Sequence, residues 1–333
     1  MKVRKINFDL PELPFDDLDN EETSTSVKLR PSPASHYAKA IVNNQPEKQK
    51  EPQQRLLYYI SFGSGSSGNS CYIGTSQGGI IIDAGVKDSV VEKTLRDSGV
   101  PMSKVHGILL THDHSDHIRY AYTLLRNHKH LKLFCTNRVL NGLMQRHNVS
   151  RRVRDYHVPI FKEIPFKIFD FEITAFEVPH DGSDNMGFSI EFDERRFVLA
   201  TDLGAVTARA HHYMSQATYL VIESNYDLDM LRLGRYPEYL KARIQTEIGH
   251  MDNTHTAAFL REIVNPRLKY IFLCHLSLDN NTPEKALAVT HAALRDAGLR
   301  VGGANETLED RAADIQLMAL PRFEPTRLFV FRP

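Results

Sequence analysis

Residues Thr111–His117 read THDHSDH, directly after the apolar run VHGILL (Val105–Leu110). His112, His114, Asp116 and His117 put four imidazole or carboxylate groups into six positions at the polar end of a buried strand. Imidazole and carboxylate together suit zinc, manganese or iron. On the turn leaving the strand, His112 and His114 can point to one side. A helix starting near Ser115 would place Asp116 and His117 in its first turn, where free N–H groups and the helix dipole favour an ionised carboxylate. The alternative is a solvated His/Asp turn. Packing does not account for four such groups.

A cluster this short cannot complete a two-metal site, so further ligands are expected from other strand ends. His180 follows FEITAFEVP, Asp202 follows RFVLA, and His275 follows KYIFL. In isolation these read as a loop histidine, a turn or N-cap aspartate and a core histidine. Their shared context, a polar ligand type at the end of an apolar strand, points instead to one site.

The surrounding chain reads as strands mixed with helices. LLYYI, CYIGT, GGIIIDAG, KLFCT, FKIFDFEITAFEV, GFSIEF, RFVLAT, TYLVIES and KYIFLCH are short apolar, β-branched or aromatic runs. SVVEKTLRDSG, IRYAYTLLRNH, TNRVLNGLMQRHN, YPEYLKARIQTEIG, TAAFLREIV and TPEKALAVTHAALRDAG have helical periodicity. The last opens on Thr282-Pro283 and closes at Gly298, an N-cap with proline at N1 and a glycine stop. This pattern predicts α/β layers around sheet from residue 56 to 333.

Residues 1–55 differ. They hold six of the 16 prolines, nine acidic and nine basic residues, and no sustained apolar period. Such a segment buries too little surface to offset its ordering entropy, so a disordered N-terminal extension is expected. A short stretch such as LPELPFDDL would suit docking on a partner.

Composition sets other bounds. The formal net charge is zero, so bulk charge argues neither for nor against a polyanionic partner. Cys71, Cys135 and Cys274 are scattered and form no CxxC pair, which fits a reducing compartment and argues against a disulfide framework or a cysteine-rich zinc site. No apolar run reaches the ~18 residues of a membrane span, and the N-terminus lacks a secretory apolar region, so a cytoplasmic location is expected. A local basic window stands out. Arg119–Arg154 holds nine Lys/Arg, three His and no Asp or Glu. Clusters of this kind contact phosphates, though a solvated helix face gives the same composition. Arg232, Arg235, Lys241 and Arg243 form a second, weaker group.

THDHSDH resembles the HxHxDH motif of the metallo-β-lactamase superfamily. IIIDAG with Asp83, THDHSDH, His180, TDLG with Asp202, and CHLS with His275 follow that superfamily's five landmarks in order. The resemblance implies an αββα sandwich of two mixed β-sheets with the site at one edge. It places His112, His114 and His180 on one divalent metal ion, Asp116, His117 and His275 on a second, and Asp202 between them. Asp83 would brace the ligand loop from behind. Zn or Mn would suit both positions.

Within the superfamily, FGSGSSGNS (Phe62–Ser70), VIESNYDLDML, RYPEYLKARI and GHMDN resemble the WalJ/YycJ-like family of metal-dependent 5′–3′ DNA exonucleases. The Gly/Ser stretch alone has the composition of a linker, but its flanking strands and this resemblance make it a site loop. Two cations about 3.5–4 Å apart would hold a hydroxide nucleophile, which Asp116 would orient or deprotonate. Ser67, Asn69 and Asn253 would contact the phosphate, and His250 would donate a proton or touch the phosphate. His255 reads as a surface residue. GHMDN departs from the family's GHLSN, and Asp252 in place of serine adds a charge beside the expected phosphate. The expected function is thus a dinuclear metal phosphodiesterase acting on nucleic acid, DNA first. A small-substrate hydrolase for a thioester or lactone, and a non-catalytic metal-binding module, remain the alternatives.

Overall fold

The computed structural model describes residues 55–305 and 307–333. The proposed extension therefore lies, but for Arg55, outside the described residues. Arg55 itself is anchored, with its guanidinium 2.7 Å from Asp170 and 2.9 Å from Asp193.

Among the described residues the first sheet contains β1 (Leu57–Gly63), β2 (Ser70–Gly74), β3 (Gly79–Ile82), β4 (Val105–Leu109), β5 (Lys132–Cys135) and β6 (His157–Pro159). The second contains β7 (Phe166–Ile168), β8 (Phe171–Glu177), β9 (Met186–Phe192), β10 (Arg195–Ala200), β11 (Tyr219–Glu223), β12 (Tyr270–Cys274), β13 (Val301–Gly302) and β14 (Ile315–Ala319). The last strand, β15 (Phe329–Phe331), returns to the first sheet and pairs antiparallel with β1. The orders are β15-β1-β2-β3-β4-β5-β6 and β13-β14-β12-β11-β10-β9-β8-β7. Both sheets are mixed: β3 to β6 run parallel, as do β10, β11, β12 and β14.

Helices α1 (Asp88–Asp97), α2 (Ser115–Ile118), α3 (Ala121–Asn127) and α4 (Asn137–Arg146) belong to the first half. Leu95, Leu124, Val139 and Leu143 from α1, α3 and α4 join the core of the first sheet. α5 (Ala208–Met214), α6 (Leu228–Leu233), α7 (Glu238–Ile244), α8 (Asn253–Ile263), α9 (Pro283–Asp296) and α10 (Leu308–Ala312) follow. Ala210, Leu260 and Leu294 from α5, α8 and α9 pack on the second sheet in a separate core. Between the sheets Tyr59 of β1 meets Phe272 of β12 at 4.9 Å and Phe197 of β10 at 5.2 Å. Helix, sheet, sheet, helix is the expected αββα sandwich. Thr282 caps α9 by accepting from the Lys285 N–H, and Gly298 past its end adopts φ 85°.

Two departures have local causes. FKIFDFEITAFEV reads as one strand but folds as the hairpin β7–β8. Ile168 pairs with Phe171, leaving Phe169-Asp170 as a two-residue turn with Phe169 at φ 55°. The apolar alternation runs through the turn and conceals it. The helix expected from IRYAYTLLRNH breaks at Tyr120, whose N–H bonds the Ala84 carbonyl at 2.8 Å and so leaves the helical ladder.

Parallel register decides where the polar ends gather. Ile82 pairs with Leu109 and Glu223 with Cys274, so residues just beyond β3 and β4, and beyond β11 and β12, come side by side. Asp83, Asp202 and His275 all turn off their strand ends in the left-handed region, at φ 58°, 51° and 55°. Each such non-glycine residue costs about 1–3 kcal/mol, a strain that persists where the surroundings fix the conformation.

Candidate metal centre

The strand ends bring seven sequence-predicted residues to one place. His112, His114 and His180 offer ligand atoms within 4.8 Å of one another, as do Asp116, His117 and His275, and also His112, His117 and Asp202. Asp202 lies between the groups. Its Oδ2 is 3.0 Å from His117 Nε2, and its Oδ1 is 3.4 Å from His275 Nε2 and 3.7 Å from His180 Nε2.

Each histidine is held by its outer nitrogen. Nδ1 of His117 is 2.7 Å from Asp83, Nδ1 of His112 is 3.0 Å from the Thr111 hydroxyl, and Nδ1 of His180 is 3.0 Å from the Gly249 carbonyl. Nδ1 of His275 meets Glu223 at 3.1 Å. His114 is reversed, with Nε2 3.3 Å from Asp181 and Nδ1 3.3 Å from His180 Nε2. Such outer contacts fix the tautomer and aim the other nitrogen inward, as in metal sites. His112 Nε2 is fully buried and has no hydrogen-bond partner, a costly state for a polar atom unless a cation accepts its lone pair. The donor set and this orphaned nitrogen fit a divalent metal.

Electrostatics point the same way. Burial, reinforced by His117, pushes His112 well below its usual range, and burial with His180 lowers His114. Both are neutral lone-pair donors near pH 7. Burial opposes charge on His117 too, but Asp202, Asp83 and Asp116 raise it well above its usual value. Against the same penalty, Asp202, Asp116 and Glu223 carry His275 up to about 10. Burial likewise penalises the carboxylates. Nonetheless His275 and His117 hold Asp202 well below the usual carboxylate range, and the same pair lowers Asp116. His250 and His275 bring Glu223 down to about 2. A pocket whose buried carboxylates stay ionised is built to hold positive charge.

The Gly/Ser loop is part of this construction. The Asn69 N–H bonds the Asp116 carbonyl at 2.8 Å, and the Asn69 side-chain amide donates to Asp116 Oδ2 at 3.1 Å. The Asn69 oxygen accepts from the Gly65 N–H at 2.7 Å. Asn69 thus stands behind Asp116. Gly85 completes the fit, because a Cβ there would lie 1.5 Å from the Asp116 carbonyl oxygen. Ser67 is exposed at the loop tip, where its carbonyl accepts from Arg119.

The structure corrects three expectations. Asn253 is 2 % exposed and is held by Ser224 and Asn281, so it offers no surface to a phosphate. Asp252 is also buried. Its carboxylate caps α8 by accepting from the Thr254 and His255 N–H groups, which explains an acid at that position without a phosphate. Lys241 of the second basic group is buried, its ammonium on the Arg232 carbonyl and Glu238. His255 is exposed, as expected.

Sequence reasoning missed Glu223, Asp181 and Asp113. Glu223 is 0 % exposed and takes His250 Nδ1 at 2.7 Å, His275 Nδ1, and the N–H groups of Leu203 and Met251. A lone acid closing the apolar run YLVIE was the available signal. Asp181 joins His114 to Arg243, whose Nε lies at 2.9 Å. Asp113 turns away from the cluster, accepts the Ser183 N–H and hydroxyl at 2.7 Å each, and has Arg146 at 3.6 Å. Arg243 therefore stands beside the His114–His180 side, and Arg146 rests on Asp113, between His112 and His114 in the chain. Arg151, Arg152 and Arg154 are exposed on a 3-10 turn anchored by buried Val153.

Comparison with known proteins agrees with this geometry. The model of the beta-lactamase superfamily domain matches residues 79–273. Exodeoxyribonuclease YycJ of Bacillus anthracis is 34% identical over 251 residues, 75% of this chain and 94% of that protein. Exodeoxyribonuclease WalJ of Streptococcus pneumoniae is 33% identical over 245 residues, 73% of this chain and 90% of that protein. Two solved structures share the fold at 15% identity. The metallo-beta-lactamase fold protein YhfI from Bacillus subtilis has a TM-score of 0.55, covering 84% of this chain and 100% of its own. Zn(2+)-bound PqqB from Methylobacterium extorquens has a TM-score of 0.56, covering 81% and 99%. With ligand types, order and fold in agreement, this chain belongs to the beta-lactamase superfamily and is a metal-dependent hydrolase of the metallo-β-lactamase fold.

Proposed function

We propose that the protein is a dinuclear metal-dependent phosphodiesterase that degrades DNA as a 5′–3′ exonuclease. The reading is carried by one arrangement, two converging ligand groups with the Asp202 carboxylate 3.0 Å from His117, 3.4 Å from His275 and 3.7 Å from His180. Relatives named exodeoxyribonucleases, about one-third identical along most of their length, support the substrate class.

His112, His114 and His180 would hold one ion, Asp116, His117 and His275 the other, and Asp202 both. Two such ions, Zn or Mn, supply Lewis-acid activation of water and offset charge on the phosphoryl oxygens. Asp116, steadied by Asn69, orients the attacking water and takes its proton. Asp83 fixes the His117 ring, and Glu223 fixes His275. Glu223 also holds His250 at 2.7 Å and, against burial, raises its affinity for a proton. His250 then delivers that proton to the leaving oxygen. Ser67 at the loop tip and the exposed guanidinium groups of Arg146 and Arg243 meet the phosphate backbone.

The test is purified protein with Mn²⁺ or Zn²⁺ on end-labelled DNA, RNA, a chromogenic phosphodiester and a thioester. Stepwise loss of nucleotides from the 5′ end of DNA is the expected result. Thioester hydrolysis without DNA degradation would move the protein to the small-substrate class.

A further inference from the structure

Beside the metal centre lies a cavity of about 790 Å³ that the ligand geometry does not use. It shares His250 with the centre, whose ring lies 5.1 Å from His180 and 5.3 Å from His275. Gly204, two residues past Asp202, forms part of its wall, and the Gly204 N–H bonds the Pro179 carbonyl next to His180. A group in this cavity is therefore adjacent to a phosphate at the metals.

Its chemistry differs from that of the outer rim. Phe259 and Tyr226, both largely buried, contribute aromatic edges to the wall, with the His211 ring edge-on to Phe259 at 5.8 Å. Glu247, Glu262 and Gln245 contribute acceptors. Among the described residues no lysine or arginine lines it. With only His211, His250 and His255 as basic groups among the described residues, such a cavity suits a flat neutral ring that carries amino and imino hydrogens better than a second phosphate. Its volume lies in the range of about 300–1,000 Å³ in which proteins bind small molecules.

Resting on the nuclease reading above, we propose that this cavity receives the nucleobase of the terminal nucleotide while its phosphodiester lies at the metals. Contact of the base's π-face with the aromatic and imidazole groups of the wall accepts any base, so the site reads the presence of a base and not its sequence.

The test uses the full-length, metal-loaded protein and two short single-stranded DNAs that differ only at the attacked end. One carries a normal nucleotide and the other an abasic residue. Loss of one stacked base raises KM for the abasic end about tenfold. Ala258→Trp, on the exposed side of α8 at the cavity wall, removes that difference by occupying the space. The chain has no native tryptophan, so the emission of the new indole reports its shielding. Equal KM values for both DNAs with the unmodified protein would overturn the base assignment alone. Failure to cut either DNA, with a chromogenic phosphodiester still hydrolysed, would overturn the nuclease reading and the assignment together.

Discussion

Glu223 and His275 meet because two parallel strands are in register. Glu223 pairs with Cys274, so its carboxylate reaches His275 Nδ1 at 3.1 Å from the neighbouring strand. The same carboxylate holds His250 at 2.7 Å, and one buried acid thereby sets the orientation of a ligand and of a proton donor.

Replacing Glu223 should therefore weaken the centre without removing a ligand. Glu223→Gln is expected to lower metal affinity about 10- to 100-fold, the usual effect of losing an outer partner. Titration of metal into stripped protein checks this. Affinity equal to that of the unmodified protein would remove Glu223 from any positioning role.

His114→Ala and Asp202→Ala take ligands from different strand ends. Each should lower the metal content and abolish hydrolysis while cooperative unfolding persists. Elemental analysis beside activity is the measurement. A fully active Asp202→Ala protein would disprove the shared ligand.

The pH dependence of the stripped protein has a definite sign. The folded-state value of His275, about 10, exceeds its ordinary 6.5. Its pairing with the site carboxylates therefore stabilises the fold fully below pH 6.5 and is lost as pH rises through about 10. Chelator-treated protein should lose at least about 1 kcal/mol across that window. With metal bound, His275 is already deprotonated and the loss should vanish. Glu223 contributes oppositely, with stability present above pH 4.5 and lost as pH falls through about 2. Thermal melts at several pH values, with and without chelator, decide it. A flat alkaline profile for stripped protein would refute the coupling.

Arg151, Arg152 and Arg154 test the basic window. If they follow a phosphate backbone, changing all three to alanine weakens binding to long DNA. It also flattens the salt dependence by about one counterion per lost contact. Hydrolysis of a small chromogenic phosphodiester should not change. Equal losses on both substrates would indicate a folding defect, and no loss on DNA would make this a solvated surface.

Legibility in the sequence followed the range of each contact. THDHSDH was readable because its ligands lie within one turn, and the distant His180, Asp202 and His275 because each ends an apolar strand. Glu223 was not, because its task arises from register with a strand some 50 residues away (Glu223 to Cys274). Asn253 was misread for a related reason. Motif resemblance marks a stretch but does not say which side chains face inward, and α8 turns Asn253 towards Asn281. The β7–β8 hairpin was hidden by an alternation that its own turn residues continue. No strand was assigned within residues 301–333, yet they supply β13, β14 and β15, strands of at most five residues.

The left-handed backbone at Asp83, Asp202 and His275 bears on how the protein would respond to breeding for heat resistance. Glycine at any of the three would relieve about 1–2 kcal/mol of steric penalty but would strip a buried ion pair of one partner, a loss of about 3–5 kcal/mol. A screen that rewards survival at high temperature alone would thus leave these three positions untouched even without assaying turnover. The positions that such survivors never change would outline the active centre.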